Sequence, residues 1–519
     1  MSTSSSLRIS DLGFTWPDGS RVFDGLDAVF PTGRTGLVGS NGAGKSTLMK
    51  LVAGELHPQR GSITVPGELG YLPQDITLRA GRRVDDILRM RELRHALHRI
   101  EIGEFTDDDF ATVGSRWDAE ERAVALLDKL GLGHIVARPE DLDRVVGTLS
   151  GGESMLLALT AELLAEPDVL LLDEPTNNLD RDARAHLYQA VQSFQGVLIV
   201  TSHDLDLLAI MDATAEVRAE RDGVSRLRMF GGNYEHYRDV VVAEQEAARA
   251  AVHDAKNDVR KQERELIEAR TKLDRRARYG KKMNEQKREP KIVMGNRKRA
   301  AQVSAGKLRG NHLDKVSDAQ AVLATAEDRL RDDREVRVEL PATKVHAGQR
   351  IVSVASLEIV GPERIALIGP NGSGKTTLLR QLADAEPAVP WRYLPQRLDV
   401  FDESRSVAEN VAAVAAHASN EQIRAQLARF LFRGSDADAV VDTLSGGERL
   451  RAALATILLA EPAPRFLMLD EPTNNLDLAS KAHLTEALAS YEGALVVASH
   501  DLPFLRDLEP TRWVELERA

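Results

Sequence analysis

The nine-residue sequence LDEPTNNLD occurs twice in the 519-residue chain, at Leu172–Asp180 and Leu469–Asp477. Four shorter sequences, GxNGxGK[ST], YLPQ, TLSGGE and SHDL, accompany each copy in the same order. Asp173 precedes His203 by 30 residues, and Asp470 precedes His500 by the same interval. Repetition on this scale predicts two copies of one domain, and the chain is long enough to give each copy its own hydrophobic core.

The composition is that of a folded protein, with 43% hydrophobic residues and no cysteine. The absence of cysteine excludes disulfide bonds and thiolate metal sites. The N-terminus lacks the features of a secretory signal, and apolar runs such as Val169–Leu172 have only the length of a strand. We therefore expect a cytoplasmic protein without a membrane span.

The net charge of −12 conceals one strongly basic segment. Between Thr271 and Gly310, 14 Lys and Arg face three Asp and Glu, a net +11 that leaves −23 for the rest of the chain. An acidic body with one basic segment predicts contact with a polyanion through that segment. The alternative is a rigid spacer whose charges are merely solvated.

The repeats predict a first domain at residues 1–237, a linker at 238–335 and a second domain at 336–519. Each domain has an apolar strand (Thr35–Val38 and Ile365–Ile368), a Gly-rich turn, a helix and further strands. This alternation predicts an α/β fold with a mainly parallel sheet that is covered on both faces.

The linker is predicted to be an antiparallel coiled-coil hairpin, because small and apolar residues recur at 4-3 spacing in two charged stretches. Gly280, Pro290, Gly295 and Gly306 are predicted to interrupt the helices at a basic tip of about residues 280–306. The seam positions are Val241, Gln245, Ala248, Val252, Ala255, Val259, Gln262, Leu266, Ala269 and Leu273, followed by Val316, Ala319, Leu323, Ala326 and Leu330.

Gly39–Ser46 and Gly369–Thr376 fit the phosphate-binding pattern GxxxxGK[ST], each directly after an apolar strand as the pattern requires. The glycines let backbone N–H groups surround phosphates at a helix N-terminus, and the lysine neutralises phosphate charge. The residues predicted to bind ATP are Gly39, Asn41, Gly42, Gly44, Lys45, Ser46 and Thr47 in the first copy and Gly369, Asn371, Gly372, Gly374, Lys375, Thr376 and Thr377 in the second.

The remaining repeated sequences supply the groups that hydrolysis needs. Asp173 and Asp470 end apolar strands and are predicted to hold Mg²⁺, and Glu174 and Glu471 follow them as candidates for orienting or deprotonating the attacking water. His203 and His500 are predicted to contact the γ-phosphate. Further Mg²⁺ ligands are expected from Ser46, Thr376, Gln74 and Gln396.

The sequence LSGGE predicts a second phosphate-binding helix start in each domain, which is free to meet a nucleotide held by the other domain. The candidate residues are Ser150, Gly151, Gly152 and Glu153 in the first copy and Ser445, Gly446, Gly447 and Glu448 in the second. With these residues the chain resembles the ATP-binding cassette superfamily. The resemblance covers both halves and implies that two cassettes of one monomer sandwich two ATP molecules.

Two cassettes in one chain, LDEPTNNLD, a charged helical linker and GGNYEHY at Gly231–Tyr237 resemble the ABC-F subfamily of translation factors. The resemblance implies binding near the tRNA exit site of the ribosome, with the linker reaching the P-site tRNA and the peptidyl-transferase region. Ile292–Met294 would then press on a base or a tRNA end, or simply pack the loop. The predicted rRNA contacts are Arg288, Lys291, Arg297, Lys298 and Arg299.

Trp16 is placed to stack on adenine in the first site, or else it is a core aromatic; the second copy has no aromatic residue at its start, in VELPATKVHAGQ. Within ABC-F, the long basic tip and the lack of a large insertion in the first cassette resemble the members that confer antibiotic resistance by ribosome protection. The alternatives are a housekeeping factor that relieves stalled ribosomes, the ATPase subunit of a drug exporter, and, less favoured, a DNA-associated ATPase.

Overall fold

The structure is a computed structural model that describes residues 6–74, 81–146, 149–177, 179–220, 222–285, 291–328, 341–354, 357–396, 400–444, 446–474 and 476–517. The chain forms two compact units. Met1–Glu235 and Arg334–Ala519 together make one, and His236–Asp333 makes the other. We call residues 6–235 the first repeat and residues 341–517 the second repeat.

The first repeat contains nine strands and eight α-helices among its described residues. They are β1 (Leu7–Thr15), β2 (Arg21–Phe30), β3 (Gly33–Val38), α1 (Lys45–Val52), β4 (Arg60–Thr64), β5 (Leu69–Leu72), α2 (Val84–Ile87), α3 (Arg91–Glu101), α4 (Asp107–Val113), α5 (Ala119–Lys129), α6 (Gly151–Leu164), β6 (Val169–Asp173), α7 (Arg181–Ser193), β7 (Val197–Thr201), α8 (Leu205–Ala209), β8 (Ala213–Ala219) and β9 (Ser225–Gly231).

The linker and the second repeat continue the order along the chain. The elements are α9 (Tyr234–Glu285), α10 (Lys291–Asp328), β10 (Arg350–Val354), β11 (Leu357–Val360), β12 (Arg364–Ile368), α11 (Lys375–Asp384), β13 (Trp391–Leu394), α12 (Val407–Val414), α13 (Asn420–Arg429), α14 (Gly446–Leu458), β14 (Phe466–Asp470), α15 (Leu478–Ala489), β15 (Ala494–Ala498), α16 (Leu502–Asp507) and β16 (Arg512–Glu515).

Each repeat is built on a mainly parallel sheet, as the sequence predicted. The strand order is β5-β6-β7-β3-β8-β9 in the first repeat and β13-β14-β15-β12-β16 in the second. Strand β9 pairs antiparallel with β8, and the other pairs in both sheets are parallel. The sequence reasoning did not predict the separate antiparallel sheets, β2-β1-β4 and β10-β11.

The sheets are covered on both faces, and β14 shows how. Phe466 and Met468 pack in one buried cluster with residues of β12 and α11, whereas Leu467 and Leu469 pack in another with residues of α12 and α14. Successive side chains of a strand point to opposite faces, so a strand buried on both faces must be apolar throughout. The sequence FLMLD meets that requirement and ends in the first charged residue, Asp470.

The predicted seams coincide with the buried stripes of α9 and α10. All ten seam positions of α9 are buried or half-buried, and so are positions 316, 319, 323 and 326 of α10, whereas Leu330 lies outside the described residues. Lys256 Nζ of α9 lies 3.1 Å from Glu327 Oε1 of α10. This ion pair joins the middle of α9 to the end of α10.

The predicted interruptions of the linker helices are partly wrong. Helix α9 continues through Gly280 to Glu285, and α10 contains both Gly295 and Gly306. A glycine inside a helix costs about 1 kcal/mol relative to alanine, which is too little to end a helix of this length. Pro290, the other predicted breaker, lies outside the described residues, directly before α10.

Within the part of the chain that the structure describes, we find no helix that combines the length and apolar character needed to cross a membrane.

Candidate active sites

The two Gly-rich loops connect β3 to α1 and β12 to α11, and their backbone requires glycine. The φ angle is positive at Gly39, Gly42 and Gly44 (150°, 79° and 93°) and at Gly369, Gly372 and Gly374 (154°, 80° and 90°). A Cβ atom on Gly39 would lie 2.1 Å from the carbonyl oxygen of Val217. The loop can therefore pass the neighbouring strand only without a side chain there.

The lysine of each loop is buried against the loop's own carbonyl groups. Lys45 Nζ donates hydrogen bonds to the oxygens of Gly39 and Ser40, at 2.8 and 3.0 Å. Lys375 Nζ does the same with Gly369 and Pro370, at 2.7 and 3.1 Å. Burial lowers the pKa of both ammonium groups. An anion placed in the loop would offset that effect, which suits a phosphate-binding role.

Asp173 and Asp470 lie at the carboxyl ends of β6 and β14, beside the loops. Both are buried, and one oxygen of each, Oδ1, has no hydrogen-bond partner among the described residues. Burial raises the pKa of Asp173, although a hydrogen bond with Ser46 opposes this. A buried carboxylate oxygen without a donor suits a hard cation or its water, so these residues fit Mg²⁺.

The described residues contain no group of three or more His, Cys, Asp or Glu arranged around a metal position. A cation at Asp173 or Asp470 would therefore need ligands of other kinds, such as hydroxyl, amide or phosphate oxygens.

Glu174 and Glu471 adopt a conformation that is unusual for glutamate. Their φ angles are 50° and 46°, in the left-handed region, and both side chains are buried. Burial raises the pKa of Glu174 to about 8 and that of Glu471 to about 7. A carboxylate that titrates near neutral pH is well matched to the role of a general base, and backbone strain of this kind is common at functional sites.

His203 and His500 stand next to these glutamates. His203 Nε2 lies 3.1 Å from Glu174 Oε1, and His500 Nε2 lies 3.3 Å from Glu471 Oε1. Burial lowers the pKa of His203 to about 3 and that of His500 to about 4. Both rings are therefore neutral at pH 7, so their contacts with the glutamates are not ion pairs.

In the second site, the neutral ring of His500 makes a further contact. Lys375 Nζ and His500 Nε2 are 3.0 Å apart, a distance at which the ammonium group donates to the ring nitrogen. The histidine and the loop lysine are therefore in direct contact within the second site.

Each site is a cavity shared by the two repeats. The first, of about 510 Å³, is lined by Asn41, Gly42, Lys45, Ser46, Thr47, Gln74, Glu174 and His203 of the first repeat and Gly446 of the second. The second, of about 460 Å³, is lined by Asn371, Gly372, Gly374, Lys375, Thr376, Thr377, Gln396, Asp470, Glu471 and His500, together with Ser150 and Gly151 of the first repeat. The structure thus brings the predicted residues of one repeat to the LSGGE segment of the other.

Four other predicted LSGGE residues, Gly152, Glu153, Gly447 and Glu448, do not line either cavity. Glu153 instead completes a capping box, in which its Oε2 accepts a hydrogen bond of 2.8 Å from the backbone N–H of Ser150. Gly152 and Gly447 are buried in α6 and α14, and a Cβ on Gly447 would lie 2.3 Å from Ser480 Oγ. Glu448 lies in the first turn of α14, and Ser445 is outside the described residues.

Sequence reasoning missed two residues that join the repeats. Asp477 Oδ2 accepts a hydrogen bond of 2.8 Å from the backbone N–H of Asn41, and Asp180 Oδ2 accepts one of 3.2 Å from Asn371. Each aspartate also caps its own helix, α15 or α7. The signal was present, because both residues end the nine-residue repeat at an N-cap position.

Comparison with known proteins assigns the chain to a family. The family model for the ABC transporter matches residues 28–177 and 352–474, one match in each repeat. The chain belongs to this family. Its cassettes bind and hydrolyse ATP, so the protein is an ATPase.

Among curated proteins, the chain is 33% identical to the tylosin resistance ATP-binding protein TlrC of Streptomyces fradiae, covering 91% of this chain and 90% of that one. It is 31% identical to the probable ATP-binding protein YheS of Escherichia coli K12 (92% and 73% covered). It is also 28% identical to ABC transporter F family member 5 of Arabidopsis thaliana (93% and 71% covered). These relatives confirm the resemblance to the ABC-F subfamily.

Solved structures support the fold. The chain is similar to the RNase-L inhibitor, with a TM-score of 0.56 and 20% identity over 98% of this chain and 87% of that one. It is also similar to a chain in the complex of archaeal ribosomal stalk protein aP1 and archaeal ribosome recycling factor aABCE1, with a TM-score of 0.52 and 21% identity over 97% and 87%.

Trp16 lies in the wall of the first cavity, and its ring meets that of Phe14 edge to face at a centroid distance of 5.1 Å. It is 37% exposed, so it is not a core aromatic. The described residues that line the second cavity include no Phe, Tyr or Trp.

We expect Trp16→Ala to weaken ATP binding at the first site by about tenfold, near the lower end of the range for loss of one base–aromatic stack. Affinity for GTP should change less if the ring recognises adenine. The measurement is nucleotide titration of protein whose second site is disabled by Lys375→Ala. An equal loss for both nucleotides would show that the ring has only a packing role.

The predicted RNA contacts can be placed only along the backbone. Lys291, Arg297, Lys298 and Arg299 lie within α10, as do Ile292–Met294, and Arg288 lies outside the described residues.

Proposed function

We propose that this chain is a cytoplasmic, monomeric ABC-F ATPase that acts on the ribosome. Cassettes at residues 1–237 and 336–519 bind two ATP molecules, and the linker at 238–335 acts on the P-site tRNA and peptidyl-transferase region. The proposed outcome is antibiotic resistance by ribosome protection.

The observation that carries this proposal is that one chain forms two cavities, each lined by residues of both repeats. Asp180 and Asp477 each contact the phosphate loop of the other repeat, so both cavities are assembled without a second subunit. A family member whose cassettes pair internally has no need of a partner subunit to hydrolyse ATP. Its linker is then available to act on the ribosome.

The charge distribution supports a ribosomal target. Residues 271–310 carry a net +11 in a chain whose net charge is −12, and the ribosome presents a dense surface of RNA phosphates. The relative from Streptomyces fradiae is named for tylosin resistance and matches nine-tenths of this chain, which favours resistance over a housekeeping role.

Mg²⁺ fits both sites and is part of the proposal. Asp173 and Asp470 offer buried oxygens, and the other proposed ligands are Ser46 and Gln74 in the first site and Thr376 and Gln396 in the second. When bound, the cation would neutralise charge on the β- and γ-phosphates.

The chain's own residues account for the proposed hydrolysis. Lys45 and Lys375 hold phosphate charge, and the start of α6 or α14 closes the opposite cavity with backbone N–H groups. Glu174 and Glu471 accept the proton of the attacking water. The neutral rings of His203 and His500 lie beside them without adding a charge.

The test is ribosome occupancy of the hydrolysis-deficient variant Glu174→Gln/Glu471→Gln. ATP holds the cassettes closed, and without hydrolysis the closed form persists, so we expect ATP to raise the fraction that sediments with 70S ribosomes by about tenfold or more. The wild type and the variant without nucleotide are the controls. Equal occupancy with and without ATP would contradict ribosomal action, and enrichment in membrane fractions instead would support the exporter subunit.

A further inference from the structure

Two basic side chains at the junction of the repeats each contact both of the segments that carry His203 and His500. Arg184 lies on α7, four residues after Asp180, and Lys481 lies on α15, four residues after Asp477. Neither belongs to the repeated sequences from which the active sites were predicted. Both side chains are largely buried, with 18% and 17% of their surface exposed.

Within its own repeat, each of these two cations forms an ion pair with the aspartate that directly follows the histidine. Arg184 Nη1 lies 3.0 Å from Asp204 Oδ2, and Lys481 Nζ lies 2.7 Å from Asp501 Oδ2. The two aspartates also cap α8 and α16, so the position of each histidine segment is linked to that of its base.

Each cation also donates a hydrogen bond to the backbone carbonyl oxygen of the histidine in the opposite repeat. Lys481 Nζ donates a hydrogen bond of 2.9 Å to the carbonyl oxygen of His203. Arg184 Nη1 donates one of 3.4 Å to the carbonyl oxygen of His500.

These contacts form only when the repeats are together. If the repeats separate, each base keeps its own aspartate but loses the carbonyl group of the other repeat. The backbone of each histidine is then held from one side instead of two. A hydrogen bond from a buried cation holds a peptide carbonyl group in one orientation. It thereby also fixes the orientation of the histidine that carries this carbonyl group.

We infer that Arg184 and Lys481 are positioning residues that couple the two ATP sites, because each base fixes the catalytic histidine of the opposite repeat when the repeats close. Closure around nucleotide at one site thereby aligns the histidine of the other. Arg184 and Lys481 do not line either of the two cavities, so we expect them to affect the rate of hydrolysis and not ATP binding.

The experiment isolates the first site with Glu471→Gln and then removes the cation that touches His203. We expect Lys481→Met in this background to lower kcat by about tenfold, which corresponds to the loss of one charge-assisted hydrogen bond in the transition state. KM for ATP should stay within about twofold, because Lys45 and its loop are unchanged. Lys481→Arg keeps a donor and should restore most of the rate. The reciprocal pair is Arg184→Met with Glu174→Gln.

Two controls separate positioning from folding. Arg181→Met removes an exposed cation one turn earlier on α7 and should leave the rate unchanged. Lys481→Met/Asp501→Asn removes the whole ion pair, so no buried charge is left unpaired, and Asn still caps α16. It should unfold at the wild-type temperature and yet show the reduced kcat.

Three results would overturn the inference. The first is an unchanged kcat for Lys481→Met in the single-site background. The second is a rise in KM with kcat unchanged, which would place Lys481 in nucleotide binding. The third is full recovery of kcat in the neutralised pair, which would show that only the unpaired charge of Asp501 was harmful.

Discussion

Replacing Glu174 and Glu471 together by glutamine is expected to reduce ATP turnover by about 100-fold or more while ATP binding is retained. Glutamine has the same shape but cannot accept the proton of the attacking water. Burial places the pKa of the two carboxyl groups at about 8 and about 7, where a base is most effective at neutral pH. The measurements are phosphate release and equilibrium binding of a fluorescent ATP analogue.

The chain offers a matched control for this substitution. Glu166 has nearly the same left-handed backbone, with φ of 50°, but its side chain is exposed and pairs with Arg122 outside the cavities. Glu166→Gln should therefore keep wild-type turnover, which would show that the loss does not come from a left-handed glutamine. Turnover near the wild-type rate in the Glu174→Gln/Glu471→Gln protein would reject both glutamates as the base.

The sequence was sufficient to predict which residues line the two cavities, because the candidate site residues lie in short repeated sequences. Glycines at positive φ, a lysine after them and a carboxylate at the end of an apolar strand are local features, and each copy confirmed the spacing of the other. The parallel sheets followed from apolar strands that alternate with helices. The antiparallel sheets did not: β1–β2 and β10–β11 are pairs of neighbouring strands whose register is interrupted by bulges, and β4 joins β1 from farther along the chain.

The pairing of the two repeats was predicted, but the individual side-chain contacts between them were not. Three hydrogen bonds form only when the two repeats are together. They are those of Asp477 with Asn41, of Asp180 with Asn371 and of Arg184 with the carbonyl oxygen of His500. The shifted pKa values of Glu174 and His203 arise from burial by residues far apart in sequence. In the linker, the error at Gly280, Gly295 and Gly306 arose because the cost of one glycine was judged without the length of the helix around it.

The linker is expected to separate action on the ribosome from ATP hydrolysis. Ile292, Val293 and Met294 form an apolar stretch at the start of α10, in a segment otherwise rich in Lys and Arg. Replacing all three by alanine should leave basal ATPase activity and ribosome binding nearly unchanged, because no cation is removed. It should abolish the rescue of translation in an extract challenged with tylosin, if these side chains act on the peptidyl-transferase region.

The matched variant removes charge from the same helix. Arg297→Ala/Lys298→Ala/Arg299→Ala should weaken ribosome binding and make its salt dependence shallower, by about 0.7 to 0.9 in log–log slope for each phosphate that is no longer neutralised. Rescue of translation by this charge variant should fall with its ribosome occupancy and should recover at higher protein concentration. Rescue by the variant with alanine at Ile292–Met294 should not recover at higher protein concentration. If that replacement still rescues fully, the apolar stretch does not act directly. If the wild type relieves neither tylosin nor any other inhibitor of the peptidyl-transferase region, the housekeeping role replaces resistance.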